Sequence, residues 1–180
     1  QGEGPLCQFS GFVLTRGRNG NAGAIACEGS SPTIHNCLIV GNRCDDPQGA
    51  IIDCQDGSPV FENPTVHGND AGDAGATFRF VNCHAVIANS ILWGNQPKEI
   101  VVESGADPRV SFSNVSGTWP GPGNTAINPN FAWPGYWTTD PGDPQATWVP
   151  GNYHLMSQSG RWDPDRLTWT SDGLTSACID

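Results

Sequence analysis

Lysine is almost missing from this chain of 180 residues: Lys98 is the single example, and 8 Lys and Arg face 18 Asp and Glu, a formal charge of −10 at pH 7. No basic face is therefore available to neutralise a row of phosphates, which argues against nucleic-acid binding. The same deficit disfavours anionic membranes, and anionic polysaccharides that come without a bridging cation. Long apolar runs are missing too. No stretch approaches the roughly 18 residues that a membrane helix needs, so no membrane insertion is expected. Helical spacing of apolar residues is not sustained over ten or more positions anywhere, which makes helical repeats a poor reading. His35, His67, His84 and His154 lack metal-ligand spacing, and no serine or cysteine stands in a recognisable triad context. The chain opens on Gln1 rather than methionine and shows no signal-peptide pattern, and reads as processed or as a piece of something longer.

What is present is a phrase repeated three times. Residues 31–42 read SPTIHNCLIVGN, 58–69 read SPVFENPTVHGN and 84–95 read HAVIANSILWGN. Asn36 and Asn63 lie 27 residues apart, Asn63 and Asn89 26 apart, and Asn42, Asn69 and Asn95 repeat the same steps. A fixed period of this length marks one supersecondary unit stacked on copies of itself, a solenoid. Within each period Ile34, Phe61 and Ile87 share one position, and Ile39, Val66 and Leu92 share another five residues on. The apolar runs are short, β-branched and bracketed by Gly, Asn, Pro or Ser, so each coil is expected to hold two or three short parallel strands that bury matched side chains in columns. The expected fold is an all-β, right-handed parallel β-helix of about four to five coils over 1–117, with an irregular, loop-rich segment over 118–180 on the same single domain. Gly 23 and Pro 15 are in excess of ordinary usage and belong to the turns.

The strands Gly23 to Cys27 and Gly49 to Cys54, the SSPTI and Asn-Cys-x-Ile phrases and the Gly-Asn closures resemble the repeats of large secreted bacterial proteins of the pectate-lyase-like β-helix superfamily. The segments NSILWGN (89–95), DPRVSFSNV (107–115), NYHLMSQSGRWDP (152–164) and TSACID (175–180) are similar to the closing coils and C-terminal segment of that group. The resemblance implies a secreted or cell-surface protein. It does not imply an activity, because this fold carries many functions and some members have none assigned.

Seven cysteines with few charges fit an oxidising, extracellular setting. Cys27 and Cys54 fall on one rung of adjacent coils, where strand spacing permits a disulfide and equally a stack of buried thiols. Asn36, Asn63 and Asn89 align, and are read as a structural ladder of side-chain amides capping the turns. Asn114-Val-Ser116 is the one sequon and makes Asn114 a candidate glycosylation site.

Six of the seven tryptophans lie after residue 117. Most are expected to cover the core where regular packing runs out, while Trp133, Tyr136 and Trp137 offer an alternative role as a sugar-stacking platform. Glu62 aligns with His35 and Ala88, which argues against a paired-acid column. Asp45, Asp46, Asp70 and Asp73 fall in equivalent turns, where solvated acids are the plain reading and a Ca²⁺ site the sharper one. No cofactor is otherwise implied, and no catalytic residue is recognisable. The expectation is a non-catalytic extracellular structural protein, stacking end-to-end with copies of itself or with further coils of a parent chain, in filaments or a larger surface protein. The alternative is a β-helix that binds or cleaves polysaccharide. Convergence of Asp and Trp side chains in one groove would favour the alternative.

Overall fold

The computed structural model describes Gly4 and residues 6–179; Gln1 and Asp180, the outer bounds of the two expected segments, lie outside them. The described residues contain no helix, and parallel strands wind into a β-helix of about four turns. Three parallel sheets make its faces. Sheet one stacks Gln8–Ser10, Thr33–His35, Val60–Glu62, Val86–Ala88 and Arg109–Ser111. Sheet two stacks Val13–Thr15, Leu38–Val40, Thr65–His67, Ile91–Trp93 and Asn114–Val115. Sheet three stacks Ala22–Glu28, Ala50–Gln55, Ala76–Val81 and Ile100–Glu103.

The columns anticipated from the repeat are the core. Phe9, Ile34, Phe61, Ile87 and Val110 are successive partners in sheet one. Leu14, Ile39, Val66, Leu92 and Val115 are partners in sheet two. Ile25, Ile52, Phe78 and Ile100 complete the third wall. Most of these side chains are fully buried, each contributing about 1.5–3 kcal/mol relative to an exposed one. Glu62 does pair with His35 and Ala88, so that rung carries no acid ladder.

The corners explain the wealth of Gly, Asn and Asp. Between sheets one and two the chain passes through left-handed backbone at Gly11, Asn36, Asn63, Asn89 and Phe112. Between sheets two and three it does so at Arg16, Gly41, Gly68, Gly94 and Gly117, and after sheet three at Gly29, Asp56, Asn82 and Ser104. A Cβ is unfavourable there, and Gly or a short side chain able to bond locally is tolerated best.

This assigns the two asparagine series different roles. Asn36, Asn63 and Asn89 are exposed corner residues with φ of 53°, 57° and 53°, and of these Asn63 Nδ2 donates a side-chain hydrogen bond to Asn36 Oδ1 at 3.2 Å. The continuous, buried ladder is Asn42, Asn69 and Asn95. Asn42 donates through N and Nδ2 to Asn69 Oδ1 at 2.9 and 3.0 Å, and Asn69 donates likewise to Asn95 Oδ1 at 3.0 and 2.8 Å. Gly17 N closes one end on Asn42 Oδ1, and Glu99 accepts from Asn95 Nδ2 at 2.7 Å at the other.

Cys27 and Cys54 are register partners, as the spacing implied, and no disulfide joins them. The Cys54 thiol hydrogen-bonds those of Cys27 and Cys83, and these contacts with burial push it well above the ordinary thiol range. Asn114 is buried: Nδ2 donates to the Ile127 carbonyl at 2.6 Å and Oδ1 accepts from Ile127 N, so the folded protein presents no accessible amide for glycosylation.

After sheet two ends at Val115, residues 119–127 lie across its last coil. Phe112 N donates to the Pro122 carbonyl, Val115 N to that of Thr125, and Thr125 N to that of Ser113. The chain then returns along the side of the helix as antiparallel ribbons, Phe131–Trp133 with Asn152–Leu155 and Tyr136–Trp137 with Trp148–Val149, followed by the hairpin Arg161–Asp163 with Thr168–Thr170.

Candidate functional site

The returning segment is held against the corner between sheets two and three by packing and by two arginines. Trp148, 3% exposed, lies flat against Gly41 and Gly68, where an added Cβ would sit 1.9 and 2.1 Å from its ring. Glycine at these corners thus serves twice, for the left-handed turn and for the indole. Trp148 Nε1 donates to Tyr153 Oη at 3.1 Å, and Trp137 Nε1 donates to the Gly68 carbonyl at 2.8 Å. Arg16 donates to the Trp148 carbonyl, and the Arg43 guanidinium donates to the carbonyls of Pro141, Gly142 and Asp143. His67 sits in an aromatic surround of Phe131, Trp148 and Tyr153, its Nδ1 at 2.6 Å from the Trp93 carbonyl. Burial holds its pKa below the usual imidazole value.

Between this segment and the helix runs a groove. One cavity of about 280 Å³ is lined by Asp70, Gln96, Tyr136, Trp137, Pro141 and Trp148, among others. A second, of about 370 Å³, shares Asp70, Gln96 and Pro141 with the first and adds Arg43, Asp45, Asp73 and Asp140. Aromatic rings thus line one end and carboxylates the other, with Asp70 at the junction. Desolvation raises the pKa of Asp70 above the ordinary aspartate value.

Of the three aromatic residues singled out in the sequence, Tyr136 and Trp137 reach this groove and Trp133 does not line it. The three rings do not form a flat platform. Trp133 and Tyr136, 53% and 50% exposed, meet edge to face at an interplanar angle of 89°, and Trp137 turns its indole N–H inward. Asp45, Asp70 and Asp73 are brought together as their equivalent turns implied. Asp46 is instead engaged in its own turn, accepting from Gln48 N. Among the described residues no three His, Cys, Asp or Glu side chains are arranged to hold a metal ion, so the Ca²⁺ expectation finds no ligand set there.

Asp140, Trp148 and Arg43 were missed by sequence reasoning as groove residues, since their place depends on a contact about 100 residues away along the chain. For Asp140 and Trp148 the only sequence signal is the dense Pro, Gly, Asp and Trp texture of 133–148; Arg43 carries none. The chain matches no protein-family model, no curated protein and no solved structure.

Proposed function

We propose that this protein is an extracellular glycan-binding β-helix whose binding site is the groove between the corner at 67–70 and the segment 134–148. The observation that carries the reading is the meeting of Tyr136 and Trp137 with Asp70 in one cavity, which continues into a second bearing Asp73 and Asp140. Aromatic faces stack on the apolar faces of sugars, while carboxylates and the Gln96 amide accept and donate hydrogen bonds to hydroxyls; sites of this kind are concave, aromatic-lined and sparing in polar groups. Secretion and kinship with the pectate-lyase-like superfamily belong to the same proposal, supported by the repeat pattern and the parallel coils. Titration calorimetry against neutral, cationic and anionic oligosaccharides tests it. Binding of at least one, weakened about three- to tenfold by Tyr136→Ala, is expected; no binding of any at millimolar concentration would sink the proposal.

End-to-end association, by copies of this chain in a filament or by further coils of a parent chain, is a second reading. It is supported by the first coil, whose three strands stand at the sheet edges, with Leu6, Phe12 and Val13 exposed beside them. Such edges template pairing with another strand.

A further inference from the structure

We infer that the groove selects a cationic glycan, an oligomer of amino sugars carrying protonated amines, over neutral and uronic-acid polymers. This rests on the groove reading above and adds to it the sign of the ligand's charge.

The argument turns on which charges in the groove are already matched. Asp45 is spent, with Arg18 Nε at 2.7 Å and Arg43 Nε at 3.0 Å. Arg43, the one guanidinium lining the groove, shares Asp45 with Arg18 and directs its terminal nitrogens at the backbone carbonyls of 141–143, and its charge reaches Asp70 without forming an ion pair with it. Asp70, Asp73 and Asp140 line the same groove without an ion pair among the described residues. Asp140 is held in place by Gly142 N, which donates to its Oδ1 at 2.7 Å.

Asp73 and Asp140, together with Asp70, whose charge Arg43 offsets only in part, leave the channel acidic, so that it repels a uronate polymer and attracts amines. Among the described residues they form no group of acids arranged to hold a metal ion. The channel runs through two adjoining cavities of about 280 and 370 Å³, which suits amines carried along a chain better than a single small ion. The aromatic end favours an amino sugar over a lysine-rich peptide: the Tyr136 and Trp137 rings attract an ammonium of either kind, but a pyranose adds an apolar C–H face for the rings and several hydroxyls for the Gln96 amide.

The test is calorimetry of the whole protein with a glucosamine hexamer, its fully N-acetylated neutral counterpart, a galacturonate hexamer and a lysine hexamer. The glucosamine hexamer should bind tightest and the galacturonate not at all. Affinity should fall between about 0.01 and 0.15 M salt as the screening length contracts from about 30 to about 8 Å. Asp70→Asn, Asp73→Asn and Asp140→Asn should each weaken binding by about two- to fivefold. The last two are exposed isosteric changes that leave the fold intact, so they remain informative if Asp70→Asn does not fold. Equal binding of the N-acetylated hexamer would overturn the charge selection while leaving the groove reading standing. Tighter binding of the lysine hexamer would overturn the sugar in favour of a basic peptide. No binding by any of the four would overturn the groove reading itself.

Discussion

Glu99 is the residue whose surroundings have the plainest thermodynamic consequence. It is 7% exposed, and burial raises its pKa from 4.5 to about 7 against the opposing bonds from Asn95. Because the folded-state value lies above the unfolded one, the stabilisation is whole below about pH 4.5 and is lost as the pH rises through about 7. The loss is on the order of 3 kcal/mol. Urea unfolding at pH 4.5 and pH 8 should show that slope, and Glu99→Gln should abolish it. His67 acts in the opposite sense: its lowered pKa gives a contribution present above about pH 6.5 and lost as the pH falls. A Glu99→Gln protein with an unchanged slope would show that Glu99 is not its source. The two asparagine series give a second contrast. Asn69→Ala strips the acceptor from two buried donors of Asn42 and should cost about 3 kcal/mol. Asn36→Ala, at an exposed corner, should cost about 1 kcal/mol from left-handed strain alone. Equal losses in denaturant melts would contradict this division.

At the scale of elements, the returning segment depends on two glycine corners. Gly68→Ala forces a Cβ to within 2.1 Å of Trp148 and should cost about 1–3 kcal/mol, detaching 134–148 before the helix unfolds. The expected signs are a red shift of tryptophan emission and early proteolysis in that segment while strand circular dichroism persists. Gly29→Ala is the control: its φ is 57° but nothing lies within 4 Å of the new Cβ, so only about 1 kcal/mol of strain is expected and no detachment. Detachment in both variants would mean that the indole contact is not what holds the segment. The coils themselves were legible element by element. Ile34, Phe61 and Ile87, and Ile39, Val66 and Leu92, recur at one spacing because each stacks on its equivalent one coil away. The choice between the asparagine series was not legible, since both keep the same period and differ only in whether the side chain points into the coil or sits at its outer corner.

At the scale of the whole molecule, the two ends of the helix differ. Residues 119–127 cross the last coil of sheets one and two, whereas the first coil presents its strand edges with Phe12 and Val13 exposed. If end-to-end association occurs, sedimentation velocity should show species that grow with concentration, and Val13→Lys should reduce them by placing a charge on the edge. A monomer at every concentration would remove association between copies, leaving further coils of a parent chain as the one form of that reading, and would leave glycan binding untouched, because the groove lies on the helix side.

The sequence by itself determined the solenoid, its period, the core columns and the shared rung of Cys27 and Cys54. All of these follow from one coil repeating a fixed number of residues later, which is information local to the chain. Only the tertiary structure decided which asparagines are buried, that Asn114 is enclosed, and that Tyr136, Trp137 and Asp140 meet Asp70 across a groove. Those outcomes depend on how a non-repeating segment folds back on the coils, and no periodicity encodes the landing place of Trp148 on Gly41 and Gly68.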